Sequence, residues 1–245
     1  MPRIWTAAVP VTLSVFTLSL LAQITPTQAA HNYATAHQTE LLQQFDEFVA
    51  IPDVAADPAG LRRNANYLVG QLQQRGVQAQ LLSAPGLPDS VPPVVYGELK
   101  TPGARRTIVF YAHYDGQPVT PSEWENGAPF TPLIKQVDGE PRIYARAAAD
   151  DKAAIFAQLS ALSALQATQI SLKANIRFVW EGEEEAGSTH LEQILAAHRE
   201  LIGGDVWLVC DGPVDQTRRQ LLIFGARGDA QPRRSRLDVS YSFEV

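Results

Sequence analysis

From about residue 106 onward, the chain alternates continuous apolar runs with amphipathic ones. "RTIVFYAHYD" (106–115) is apolar until it ends on His113 and Asp115, the pattern of a strand buried on both faces. "ANIRFVWEG" (174–182), "DVWLVCDG" (205–212) and "RQLLIFGAR" (219–227) read the same way, and "RIYARAAADD" (142–151) reads as a short extended piece. Between them, "DKAAIFAQLSALSALQA" (151–167) has the Ala/Leu-rich spacing of an amphipathic helix, and "STHLEQILAAHRELIGG" (188–204) that of a second, capped by Ser188 or Thr189. Upstream, helical spacing covers 33–50. A further helix over 57–76 opens on Asp57 and Pro58 and stops at Gly76. "VQAQLLSA" (77–84) and "VVYGELK" (94–100) predict two strands, and the Pro-, Gly- and acid-rich stretch 116–142 a long loop. Alternating strands and helices define an α/β fold, with a largely parallel or mixed central sheet flanked by helices.

The polar ends of these runs change the picture. His113 and Asp115, Asp150 and Asp151, the glutamates of "FVWEGEEEAGS" (178–188), and Asp211 each follow an apolar run. In open α/β sheets, ligands bind outside the carboxyl ends of parallel strands, so the pattern brings these four groups to one edge. Imidazole with several carboxylates suits zinc or a pair of divalent ions. Without a cation, so many carboxylates would repel one another, and some would have to stay protonated. Two ions could share a carboxylate and activate a water, leaving another carboxylate as general base. The competing readings are a metal- or peptide-binding protein without catalysis and an α/β domain with merely solvated acidic loops.

Composition adds limits. With 245 residues, 45% of them hydrophobic, the chain can bury a sizeable core. A net charge of −6 and the lack of a basic patch give nucleic acid no footprint. The single cysteine, Cys210, cannot form an internal disulfide, and its apolar setting suits a buried thiol better than a nucleophile. Arg3, an uncharged apolar run, and the small residues of "TPTQAA" match a cleaved secretory signal over 1–30. The expectation is a periplasmic or secreted protein with no stable membrane association after cleavage. An uncleaved anchor is the other reading, since the run is close to spanning length.

The ordered motifs "HYDGQPV", "EWENGAPFTP", "RIYARAAADDK", "EGEEEAGS" and "CDGP" together resemble the co-catalytic zinc peptidases. That family includes carnosinase-like dipeptidases, glutamate carboxypeptidases, and acetylornithine and succinyl-diaminopimelate deacylases. The likeness spans about 35–228, and its spacing is most similar to the dipeptidases. It implies a catalytic domain over 31–228 with two Zn2+ (or Mn2+ or Co2+), acting on a small peptide or an N-acyl amino acid. By position, it implies that His113 and Asp211 ligate one metal, Asp150 bridges, and Glu185 binds the other. Asp115 orients His113, and Glu184 is the general base. Glu183 has no implied role and is expected to face water; Asp151 is expected to cap the following helix. The family's Gly-Arg-Gly is here Ala145-Arg146-Ala147, which is tolerable unless the backbone needs positive φ. The family's second metal also takes a late histidine, but none follows His198, and His190 and His198 read as helix positions. The stretch 229–245 is unlike the lid and dimerisation domain that the resemblance implies next. A truncated or frameshifted gene would produce such a tail. The expectation is therefore a C-terminally incomplete catalytic domain with impaired activity and an open dimer state.

Overall fold

The computed structural model describes residues 24–125, 127–212, 223, 230–233 and 236–239. The apolar run of 1–23 lies outside the described residues, as does the strand expected over 219–227 apart from Ile223. Element order is α1 Pro26–Ala36, α2 Gln38–Val49, α3 Pro58–Gln74, β1 Gln78–Leu82, β2 Val94–Leu99, β3 Thr107–His113, β4 Leu133–Val137, β5 Glu140–Tyr144, α4 Lys152–Ala167, β6 Asn175–Glu181, α5 Leu191–Ala197, α6 Arg199–Ile202 and β7 Val206–Val209. A two-stranded antiparallel pair, β8 Ala230–Arg233 and β9 Arg236–Val239, follows.

The central sheet runs β1-β2-β6-β3-β7. β6, β3 and β7 are parallel neighbours, whereas β1 and β2 pair antiparallel, β2 also against β6. The sheet is therefore mixed. Its strands have the expected period of two. On β6, Ile176, Phe178 and Trp180 pack with Leu61, Leu68, Leu72, Ile155 and Leu159 of α3 and α4. Val179 faces the other way, onto Val109, Tyr96 and Ile194 of α5. Helices thus cover both faces, as the near-continuous apolar strands require. Glu98 and Arg177 stand opposite each other on β2 and β6, and their side chains meet at 2.8 Å.

Several local expectations change. The helix over 33–50 is two helices separated at His37, and the first of them already begins at Pro26. The stretch 188–204 is also two short helices; α5 begins after His190, with no capping bond from Ser188 or Thr189. The loop of 116–142 contains β4, which pairs with β5 in a separate hairpin. "RIYARAAADD" is therefore not a strand of the central sheet, and Asp150 arrives from the turn before α4.

A buried ion pair ties the N-terminal helices to that turn. Lys152 Nζ lies 2.8 Å from Asp53 Oδ2, both side chains being 0% exposed. Nζ also donates to the carbonyls of Phe48 and Ile51 at 3.0 and 2.9 Å. Burial pushes Asp53 up and Lys152 down, each against the attraction of the other. Removing one member of such a pair leaves a buried charge without compensation. Lys152→Met should lower the unfolding free energy by about 3–5 kcal/mol in urea titrations; a loss below about 1 kcal/mol would show that the pair contributes little.

Candidate metal centre

The three parallel strands end at one edge of the sheet and deliver the chemistry there. β3 ends on His113 and leads into Asp115, β6 ends on Glu181 and leads into the glutamates, and β7 leads to Asp211. The parallel register sets His113 beside Glu181. The glutamates lie on a tight turn: Glu184–Ala186 form one 3-10 turn, and Gly187 takes the left-handed conformation at φ +88°. At Gly182, a Cβ would stand 2.3 Å from the Tyr114 ring, so only glycine lets the chain pass there.

His113 is the centre of the arrangement and is 0% exposed. Its Nδ1 faces Asp115, 3.1 Å from the backbone carbonyl and 3.3 Å from Oδ1. Its Nε2 faces three carboxylates: Asp150 Oδ1 at 3.1 Å, Glu184 Oε2 at 3.9 Å and Asp211 Oδ2 at 3.9 Å. An imidazole that donates from Nδ1 keeps its Nε2 lone pair for a cation. Asp115 does more than orient this ring. Its Oδ1 accepts from the backbone N–H of Glu184 at 3.2 Å, and its Oδ2 from that of Glu185 at 3.0 Å.

Two overlapping triads have ligand atoms within 4.8 Å of one another: His113 with Asp150 and Glu185, and His113 with Glu184 and Asp211. All six residues singled out in the sequence thus stand together. The electrostatics show what the arrangement lacks. Burial pulls the His113 imidazole down, but Asp115, through its hydrogen bond and charge, together with Asp151 and Asp211, pushes it up to about 10. Burial raises Glu184 and Glu185. Asp211, Asp115 and Asp150 push Glu184 further up against the pull of His113. Asp150 adds to the rise of Glu185. One imidazolium can neutralise only one of these carboxylates. A divalent cation relieves the repulsion and suits a donor set of one imidazole and several carboxylates. The residues present therefore fit a metal.

Two expectations are corrected, and one condition is met. Glu183 does not simply face water: its carboxylate accepts from the His190 backbone N–H at 2.9 Å and lies 2.9 Å from His190 Nδ1. Asp151 makes no capping bond to α4; its buried carboxylate accepts from the His113 N–H at 3.2 Å instead. Ala147 does stand at positive φ, +57°, where a side chain costs about 1–2 kcal/mol relative to glycine. His198 is a helix-end residue whose Nε2 contacts the Ser83 carbonyl at 2.8 Å. Cys210 is half-buried, with its thiol pushed up by burial, as suits a structural residue.

Other residues went unmarked in the sequence. Gln117 donates its amide to Glu185 Oε2. It lies inside "HYDGQPV", so its place four residues after His113 was the available signal. The buried Glu181 and the half-buried Tyr111 and Ser188 form a hydrogen-bonded group beside the glutamate turn. Of these, Glu181 was visible only as the charged last residue of an apolar strand.

Residues 109–238 match the model of peptidase family M20/M25/M40, and the chain belongs to that family. It is 30% identical over 213 residues to human Beta-Ala-His dipeptidase, covering 81% of this chain and 41% of the relative. It is 28% identical over 202 residues to the Cys-Gly metallodipeptidase dug1 of Schizosaccharomyces pombe, covering 77% of this chain and 41% of the relative. Among solved structures, the M20 family metallo-carboxypeptidase Sso-CP2 of Sulfolobus solfataricus superposes with a TM-score of 0.67 at 34% identity. That match covers 77% of this chain and 41% of the other. The mixed sheet flanked by helices is thus the fold of M20 catalytic domains. The chain spans about two-fifths of the length of these relatives.

The expected periplasmic or secreted location is corrected by the same comparison, because relatives of the dug1 type are cytosolic dipeptidases. Among the described residues of the stretch 1–30, Thr25 caps α1 by accepting from the Gln28 N–H, and Ala29 is fully buried. Among the described residues, no helix is long and apolar enough to cross a membrane.

The double role of Asp115 has a direct consequence. Asp115→Ala removes the acceptor of two amides, each a hydrogen bond to a charged group contributing about 1.5–3 kcal/mol. Amide exchange at Glu184 and Glu185 should accelerate at least about tenfold in this variant; unchanged exchange would show that the turn holds its shape without Asp115.

Proposed function

We propose that this chain carries the centre of a metal-dependent hydrolase that cleaves the amide bond of a small peptide, or of an N-acyl amino acid, with an activated water. The observation that carries the reading is His113, its Nδ1 committed to Asp115 and its Nε2 set among Asp150, Glu184 and Asp211 at 3.1–3.9 Å. The printed names of the relatives, Beta-Ala-His dipeptidase and Cys-Gly metallodipeptidase, support dipeptides as the substrate class.

His113 and Asp211 would hold one ion, Glu185 a second, with Asp150 between them; Zn2+, Mn2+ and Co2+ all suit these donors. A bound divalent ion supplies Lewis acidity, making a water more acidic and polarising the scissile carbonyl. The protein's own contribution is positional and protonic. Asp115 fixes the imidazole tautomer and holds the backbone of the glutamate turn. Gln117 steadies Glu185. Glu184 is half-buried, and burial raises it from its ordinary value, the direction that favours a general base. It accepts the proton of the attacking water and returns it to the departing amine. Among the described residues, His113 is the one histidine in these triads.

Glu184→Gln separates the base from the ligands. Dipeptide hydrolysis by the Zn2+-, Mn2+- or Co2+-loaded chain should fall about 10²–10⁴-fold, while metal content by elemental analysis stays at the wild-type level. Equal hydrolysis by the variant would overturn the assignment of the base. Metal binding without hydrolysis in the wild-type chain would favour a binding role.

A further inference from the structure

We infer that Glu181 is a positioning residue for this centre: its buried carboxyl closes the mouth of the turn that carries Glu184 and Glu185. The inference rests on the use of those two glutamates proposed above. Glu181 is 2% exposed and ends β6 in register with His113. By the period of two, Tyr111, His113 and Glu181 share the face of the sheet that carries Val109 and Val179. One oxygen, Glu181 Oε1, accepts from two hydroxyls. Tyr111 on β3 donates to it, and so does Ser188 Oγ at 3.0 Å, from seven residues further along the chain. This oxygen therefore joins the end of β6, the neighbouring strand and the exit of the turn.

The turn has need of such a tie. It leaves β6 at Gly182, where the backbone grazes Tyr114, and it exits through two left-handed residues, Gly187 at φ +88° and Ser188 at φ +47°. Serine does not adopt that conformation freely. Its N–H bonds the Glu183 carbonyl at 2.7 Å, and its hydroxyl is spent on Glu181. A parallel tie stands two residues on, again across seven positions, where Glu183 accepts from the His190 N–H. Between the two ties, Glu184 and Glu185 point toward Asp150, Asp211 and His113. The acidic run thus has a division of labour: Glu184 and Glu185 face the centre, while Glu181 and Glu183 fix the turn that presents them.

A purely structural carboxyl would contribute stability and leave the centre's geometry alone, so the test reads geometry. Both bonds fall on one acceptor oxygen, which glutamine also supplies and leucine does not. Wild type, Glu181→Gln, Glu181→Leu and Ser188→Ala of the 245-residue chain would be titrated with Co2+ and followed by visible absorption. Amide exchange at Glu184 and Glu185 would be read on the same samples without metal. Ser188→Ala and Glu181→Leu should show altered ligand-field bands, Co2+ affinity about 10–100-fold weaker, and faster exchange; Glu181→Gln should restore the wild-type spectrum. Wild-type bands and affinity in both Ser188→Ala and Glu181→Leu would overturn the inference. If Glu181→Leu does not fold, Ser188→Ala decides alone. Absence of ligand-field bands in the wild-type chain would count against the metal centre itself, and unchanged exchange in Ser188→Ala would then still overturn the positioning role.

Discussion

Three groups converge on the Asp115 carboxylate, which is 1% exposed: the Nδ1 edge of His113 and the backbone amides of Glu184 and Glu185. Each alone would be an ordinary contact. Together they couple two parallel strands at their ends, because His113 closes β3 and the glutamates follow β6. The orientation of the imidazole and the placement of two acidic side chains therefore share one anchor. Buried polar groups must find partners, and among the described residues the Asp115 carboxylate finds them at His113, Glu184 and Glu185.

The rest of the fold keeps that anchor in place from below and from the side. The parallel run β6-β3-β7 brings three strand ends to one edge, and apolar packing on both faces holds the strands in register. The buried Lys152–Asp53 pair fixes the turn that supplies Asp150 and Asp151. Asp53 also holds the chain just after Asp115, its carbonyl accepting from the Gly116 N–H at 3.0 Å. The cost is concentrated repulsion. Asp115, Asp150, Glu184, Glu185 and Asp211 surround one imidazole; burial first and then neighbouring carboxylates raise Glu184 and Glu185, while the hydrogen bond and charge of Asp115, with Asp151 and Asp211, raise His113 against its burial. A site of this kind favours cations by construction of its charges.

Much of this was legible in the chain because strands buried on both faces announce themselves as unbroken apolar runs. The runs ending at His113, Glu181 and Asp211 each mark a real strand, and the residues just beyond them do gather. What stayed hidden depends on tertiary partners. The antiparallel side of the sheet, β1 and β2, has no signature in a run's composition. The β4–β5 hairpin was masked by the prolines and acids around it. Glu183 was misjudged because a charged residue in a polar loop looks solvated until its partner, His190, is known, and Asp151 because an aspartate just before a helix looks like its cap until the His113 amide is seen to take its carboxylate. The departure at Ala147 was visible, but its meaning required the φ value.

The central claim is that the carboxylates gathered around His113 hold a divalent metal. Anomalous diffraction from crystals of the chain grown with Zn2+, recorded on both sides of the zinc absorption edge, tests it most directly. The account predicts a peak bonded to His113 Nε2 and to carboxylate oxygens of Asp150 and Asp211, with a second peak between Asp150 and Glu185. A map with no anomalous peak among these residues, at a zinc concentration that labels other sites, would contradict it.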